Sequence, residues 1–259
     1  MDIKRGYENI IQVSDLTKYY GNLLAVDHIN FDVKVGEIFG FLGPNGAGKT
    51  TTIKMLTGLI KPSYGTASIN EKDIIKQTVE AKRIIGVVTE DSNLYDELTV
   101  ADNLRFMGQL YSVSKREREN RIIQLLNIFN LEDKRDVRFA KLSKGMKRKV
   151  TIASALVHNP LILFLDEPTT GLDVLSARVL RAMIRELNRK GVTIFLTTHY
   201  IEEAEQLCER VAIIVNGSIK TVDTPENLKL KTKTKSLEEA FIDITKLMEE
   251  IMLEEKERR

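Results

Sequence analysis

The chain has no tryptophan and a single cysteine, Cys208. One thiol cannot close an intrachain disulfide, so the fold has to be held by its core. Cys208 stands in Glu205-Gln206-Leu207-Cys208-Glu209, at the end of a helical stretch, and reads as a buried, reduced residue; a reactive thiol is the other reading. An excess of either charge is also missing: 39 basic side chains against 37 acidic ones leave a formal +2. That balance argues against nucleic-acid binding driven by overall charge. Long hydrophobic runs are absent, and the longest, such as Leu161 to Leu165, are far too short to cross a bilayer. A membrane role would therefore go through a partner. Residues Met1 to Glu8 carry no apolar core and do not read as a signal peptide. No internal repeat or low-complexity segment is found. What remains is ordinary soluble globular material, 42% hydrophobic and 29% charged, in 259 residues: one large domain or two small ones.

Against this plain background one run stands out. Gly43-Pro44-Asn45-Gly46-Ala47-Gly48-Lys49-Thr50 fits the P-loop pattern of Gly, four residues, Gly, Lys and Ser or Thr. Gly43, Gly46 and Gly48 allow a tight backbone turn whose N–H groups point at phosphate oxygens. The positive end of the following helix, from Thr51 to Gly58, faces the same oxygens. Lys49 supplies a cation for the β- and γ-phosphates, and Thr50 offers a hydroxyl to Mg²⁺. Glu37 to Leu42 reads as the buried strand that should precede such a loop.

Periodicity supplies the organisation. Ile10 to Leu16, Leu24 to Val33, Glu37 to Leu42 and Gly65 to Asn70 read as strands, and Ile84 to Val88 is a short β-branched run. From about Val100 to Val157 the pattern is helical, with Ile122, Ile123, Leu125, Leu126 and Phe129 at helical spacing. Leu161 to Leu165 and Val192 to Thr197 are apolar enough for central parallel strands, joined by a helix from Val174 to Arg189. Asn216-Gly217 between two short strands predicts a hairpin. The spacing predicts a parallel α/β core with a β-rich front end and a helical insertion. Residues 229–235 are polar and basic and read as a linker. Ser236-Leu237-Glu238-Glu239 is a capping box opening a helix whose stripe is Leu237, Ala240, Phe241, Ile244, Leu247, Met248 and Ile251. That stripe either packs on its own domain or meets a second subunit.

Further motifs follow in order. Leu161 to Leu165 runs into Asp166 and Glu167; a carboxylate at a buried strand end can hold Mg²⁺ or its waters, and its neighbour can polarise an attacking water. Leu142-Ser143-Lys144-Gly145-Met146 opens a helix, and Ser143 with the N–H groups there makes an anion site. Arg138, Lys141, Lys144, Lys147, Arg148 and Lys149 add positive charge nearby.

With these residues the chain resembles the ATP-binding cassette (ABC) ATPases, the nucleotide-binding subunits of ABC transporters, over nearly its whole length. The resemblance implies an α/β P-loop NTPase fold: a RecA-like parallel-sheet core, an antiparallel β subdomain and an inserted α-helical subdomain. The cassette is expected over residues 9–230, its helical part over roughly 91–158, with linker and amphipathic helix over 231–259. It implies ATP and Mg²⁺ as ligands, with Gly43, Pro44, Asn45, Gly46, Ala47, Gly48, Lys49, Thr50 and Thr51 around the phosphates. Tyr20 is the expected adenine-stacking aromatic, Tyr19 the alternative, and either could simply be packed at a strand end. Mg²⁺ falls to Thr50, Asp166 and Glu90, catalysis to Glu167 and His199, and the D-loop to Asp173 in Gly171-Leu172-Asp173. Ser143, Lys144 and Gly145 would touch ATP held by a second subunit. His28 and His158 have no such context and read as structural.

Three positions depart from the family pattern. The signature is usually Leu-Ser-Gly-Gly-Gln, so Lys144 and Met146 are unusual. Glu90 stands where a glutamine contacts Mg²⁺ and water; a carboxylate can still ligate the ion but loses the amide donor. The implied assembly is a head-to-tail dimer, of two identical copies or with a different ATPase subunit. It would drive a separate membrane permease from the cytoplasmic face of the membrane, without nucleic acid. Glu90, the Lys144 signature and residues 236–241 resemble export-type prokaryotic systems. Soluble ABC ATPases acting on ribosomes or DNA, and regulatory or assembly ATPases without a permease, are the rival classes.

Overall fold

The computed structural model describes residues 8–90 and 94–246. The chain forms two compact units: residues 4–78 with 195–259, and residues 79–194.

The first unit opens with β1 (Asn9–Tyr20) and β2 (Leu23–Lys34), a long antiparallel pair. Sequence alternation predicts only the apolar half of β1. The strand continues past Leu16 because register shifts around Ser14–Lys18, with Asp15 at φ 54, absorb the polar residues. β3 (Ile38–Leu42) is buried at every position and leads to α1 (Lys49–Leu56). β4 (Tyr64–Ile69) pairs with β1, and the two-residue β5 (Lys72–Asp73) completes the sheet order β2-β1-β4-β5.

The second unit begins after the boundary in α2 (Thr78–Arg83) and holds β6 (Ile85–Val88), α3 (Val100–Leu110), α4 (Lys115–Phe129), α5 (Lys144–Ala155), β7 (Ile162–Asp166) and α6 (Val174–Arg189). β6 and β7 are parallel, with Val88 beside Leu165. Each long helix starts on a side-chain cap: Thr99, Ser114, Ser143 and Asp173 accept from the N–H three residues on. α4 buries Ile122, Leu125, Leu126 and Phe129. Ile123, expected on the same stripe, is 55% exposed, because its position one residue past Ile122 turns it about 100° away.

The chain returns to the first unit within β8 (Thr193–Thr198), followed by α7 (Ile201–Leu207), β9 (Arg210–Val215), β10 (Ser218–Asp223) and α8 (Pro225–Thr232). Here the strand order is β10-β9-β3-β8, with β3 parallel to β9. Asn216 and Gly217 take φ 50 and 79, the two positive values of a type I′ hairpin. Phe31, Phe39, Phe41 and Phe195 form the core cluster; Phe31 stacks on Phe39 at 5.6 Å and tilts against Phe41 at 5.5 Å. Pairs of this kind add about 0.5–1.5 kcal/mol beyond the area they bury. Cys208 is buried and its thiol is pushed well up by burial, which makes it inert. Residues 229–232, read from composition as linker, are the last turn of α8, since Thr224 caps that helix and Pro225 starts it. Residues 237–246 are helical, with Leu237 and Ala240 fully buried; Leu247, Met248 and Ile251 of the expected stripe lie outside the described residues.

Candidate functional site

In the first unit, β3 delivers the chain into the Gly43–Thr50 loop. Gly48 caps α1 at φ 104, and a Cβ there would come within 2.7 Å of the Ala25 carbonyl oxygen. Only glycine meets both conditions. The Lys49 ammonium is buried and donates to the carbonyls of Gly43 at 2.8 Å and Pro44 at 3.1 Å, so the loop curls around its own cation. The Gly43 N–H donates to the Thr198 carbonyl at 3.3 Å, which ties the loop to the end of β8 beside His199. The His199 ring lies 4.0 Å from that of Tyr200. No acidic residue occupies the first turn of α1, so its partial positive charge is left for an external anion. Pro44, Asn45, Gly46 and Thr50 are exposed around this opening, whereas Ala47 is buried and Thr51 half-buried. Tyr20 and Tyr19 end β1. Tyr19 is engaged edge-on by Tyr64 at 6.3 Å, whereas Tyr20 is 46% exposed and carries the Lys18 ammonium over its ring.

In the second unit, β7 ends on Asp166, 3% exposed, and Glu167, 8% exposed. Glu167 takes φ 49, a conformation that costs a non-glycine residue about 1–3 kcal/mol. The turn is held by Thr170: its N–H donates to the Glu167 carbonyl at 3.2 Å and its hydroxyl to Glu167 Oε2 at 2.9 Å. The strain and the hydrogen bond together aim one carboxylate. Ser143 is exposed at the start of α5, its Oγ accepting from the Met146 N–H at 3.3 Å, and the first turn again holds no acid. Gly145 fits beneath Ser176, where a Cβ would come 2.9 Å from Oγ, and the Lys144 ammonium lies against Gly171. Asp173 caps α6 through the Ser176 N–H at 2.9 Å and hydroxyl at 2.6 Å, hydrogen bonds that hold its carboxyl below the usual range. The Glu90 side chain is exposed, and its carbonyl accepts from Arg148 at 3.2 Å. The expected residues thus sort by unit: the phosphate loop, Tyr20 and His199 in one; Glu90, Ser143, Lys144, Gly145, Asp166, Glu167 and Asp173 in the other.

The sequence profile of the ABC transporter family matches residues 26–170. The chain belongs to that family. The probable multidrug ABC transporter ATP-binding protein YbhF of Escherichia coli K12 is 38% identical over 242 residues, 92% of this chain; the chain spans 42% of that relative's length. The Nod factor export ATP-binding protein I of Burkholderia orbicola is 43% identical over 207 residues, 80% of this chain and 68% of that protein. A solved structure of the ATP-binding subunit of an ABC transporter superposes with a TM-score of 0.82 at 34% identity, covering 91% of this chain and 99% of the other. The ATP-binding proteins of this family are ATPases of P-loop fold.

In the basic run around the signature, Arg138, Lys141 and Lys144 are exposed, whereas the other three side chains have internal partners. Lys147 pairs with Asp96 at 3.1 Å and lies over the Phe139 ring. Lys149 donates to the Phe129 carbonyl at 3.2 Å, and burial pulls its ammonium down. Arg148 reaches inward to main-chain carbonyls. Sequence reading also missed Thr170 and Ser176 as the partners that fix Glu167 and Asp173. A Thr three residues after an acidic strand end was the available signal for Thr170.

The donor chemistry suits Mg²⁺. Thr50 and Asp166 are hard oxygen donors, and no cluster of three or more His, Cys, Asp or Glu able to hold a metal occurs among the described residues. An ion that keeps its waters and binds through phosphate needs only one or two protein oxygens.

Proposed function

We propose that the chain is the ATP-binding and ATP-hydrolysing subunit of an ABC exporter, working head-to-tail with a second ATPase subunit on a separate membrane permease. The observation that carries this reading is duplication: each unit presents a helix N-terminus without an acid in its first turn, one after the P-loop and one after Ser143. Two anion sites in one chain make sense when a nucleotide on one subunit is closed over by the signature of another. Lys49 and the Gly43–Thr51 loop grip the phosphates, Tyr20 stacks on the base, and Ser143, Lys144 and Gly145 close on the partner's ATP. When bound, Mg²⁺ neutralises developing charge on the phosphates, with Thr50, Asp166 and Glu90 as its protein contacts. Glu167 accepts a proton from the attacking water, and His199 senses the γ-phosphate. The work of these residues is positioning and charge neutralisation. No described helix is long and apolar enough to cross a membrane; in this reading the permease is a separate chain, with the ATPase on its cytoplasmic side. The relatives' names, multidrug and Nod factor export, favour export. The test is a pull-down of tagged Glu167→Gln with ATP from its native membranes, read by mass spectrometry. A polytopic membrane protein is the expected partner. Ribosomal proteins, or an ATP-bound dimer without any membrane partner, would overturn the transporter reading.

A further inference from the structure

Arg148 sits one turn into α5, five residues after Ser143. Its guanidinium is bound to main chain on two other segments. Nε donates to the Pro168 carbonyl at 2.9 Å, Nη2 to Asp166 at 2.8 Å and Glu167 at 3.1 Å, and Nη1 to Thr89 at 2.6 Å and Glu90 at 3.2 Å. Five carbonyls that follow the ends of two adjacent parallel strands, β6 and β7, thus converge on one side chain of the signature helix. Successive carbonyls leaving a strand normally point in alternating directions. Those of Asp166 and Glu167 reach the same nitrogen, and Glu167 is the residue at φ 49. Without a charged donor, these carbonyls would repel one another in a half-buried place.

We propose that Arg148 is a positioning residue for hydrolysis: its guanidinium holds the strained Asp166–Pro168 backbone, and thereby aims the Glu167 carboxylate. In the same grip it ties that backbone and the Glu90 segment to the helix that bears the signature. This rests on the reading of Glu167 as the residue that activates water. Arg148 touches neither nucleotide nor water in this scheme; it acts through Glu167 and Glu90. A movement of α5, whose N-terminus meets the partner's ATP under that reading, is carried through Arg148 to Glu167. Planarity matters, because five acceptors on two segments need a fork of N–H groups. A lysine ammonium is a point donor with three protons and cannot span them.

The experiment measures ATPase kinetics and fluorescent-ATP binding for the wild-type chain, Arg148→Gln and Arg148→Lys. For both variants kcat should fall on the order of tenfold to hundredfold, the cost of a small misplacement of a catalytic group. ATP affinity should stay within about twofold, since the Arg148 hydrogen bonds that carry the proposal go to the Thr89–Glu90 and Asp166–Pro168 main chain, and unchanged binding also certifies the fold. If Arg148→Gln does not fold, Arg148→Lys, which keeps charge and stem, carries the test alone. A folded Arg148→Lys with wild-type kcat overturns the proposal, as does a loss confined to ATP affinity. Should the wild-type chain itself show no turnover, the ATPase reading fails before this inference is reached.

Discussion

Gly48→Ala offers a quantitative test of the phosphate loop, with Gly46→Ala as its internal reference. Both glycines have positive φ, 104 at Gly48 and 81 at Gly46, so alanine is strained at either by about 1–2 kcal/mol. The two sites differ in what a Cβ would meet. At Gly46 nothing lies within 4 Å. At Gly48 the Cβ would stand 2.7 Å from the Ala25 carbonyl oxygen and 3.2 Å from Val26 Cγ2, on the neighbouring β2. A carbonyl in a paired strand has little room to retreat, and overpacking of this kind costs about 1–3 kcal/mol. Alanine also reduces the freedom of the unfolded chain, which returns about 0.4–1 kcal/mol at both positions. The net expectation is about 1 kcal/mol for Gly46→Ala and about 2–4 kcal/mol for Gly48→Ala. Because the chain has no tryptophan, the readout is urea unfolding followed by far-ultraviolet circular dichroism, compared at equal m-value. Fluorescent-ATP titration of the folded variants should show at least a tenfold loss for Gly48→Ala, about 1.4 kcal/mol, as the first N–H groups of α1 are displaced. Equal destabilisation by the two substitutions would refute the reasoning, since it would mean that the close approach to Ala25 does not govern this loop.

Other outcomes follow from the same geometry. Glu167→Gln should lower ATPase turnover by about 10²–10⁴-fold while ATP binding persists and an ATP-dependent dimer accumulates in size-exclusion chromatography; normal turnover would remove Glu167 from catalysis. Ile122→Ala should cost about 2–5 kcal/mol in chemical denaturation and Ile123→Ala less than about 0.5 kcal/mol, since the first is fully buried and the second faces solvent. The His158 imidazole, stacked on Tyr111 at 3.6 Å and donating from Nε2 to the Ile85 carbonyl, is pushed by burial from 6.5 down to about 4. The unfolded chain therefore binds the proton first as pH falls. The stability this neutral ring contributes is complete above about pH 6.5 and is lost progressively down to about pH 4, by up to about 3 kcal/mol. His158→Gln should flatten that part of the stability–pH curve; an unchanged slope would place the titration elsewhere.

What could be read from the residues, and what could not, divides along physical lines. Buried strands such as β3, β7 and β8 are nearly uninterrupted apolar runs, and the Asn216-Gly217 turn needs two positive φ values, so both leave marks in one dimension. The P-loop is legible for the same reason: its glycines are required locally. Bulges are not legible, because the pairing that lets β1 run on to Tyr20 depends on register shifts against β2 and β4 that no single residue announces. The α4 stripe was read one residue too wide, since hydrophobicity alone does not say that Ile123 sits on the far side of Ile122. At the site, the acids were readable from their strand, but not the Thr170 hydroxyl that holds Glu167 or the left-handed backbone that aims it. Those depend on a turn whose conformation no residue-by-residue preference requires, and β-region values would be the ordinary expectation for a glutamate.

On the signature helix, clustered charges serve different structural ends. Lys144, Lys147, Arg148 and Lys149 look like a surface that would attract any polyanion. Three of them have internal partners of different chemistry: the Asp96 carboxylate with the Phe139 ring for Lys147, the Asp166–Pro168 and Thr89–Glu90 carbonyls for Arg148, and the Phe129 carbonyl for Lys149, while the exposed Lys144 lies against Gly171. Side chains held this way fix short-range geometry. Under the proposed function, the phosphate contact of this segment is made by Ser143 and the main-chain N–H groups that open α5, which act only at hydrogen-bonding distance. Such a site favours a phosphate presented at one place over a charged polymer lying across the surface. It also explains how the signature tolerates Lys144 and Met146 where the family usually has glycine and glutamine. Ser143 keeps the cap, Gly145 keeps the close approach to Ser176, and the side chain of Lys144 is drawn aside toward Gly171.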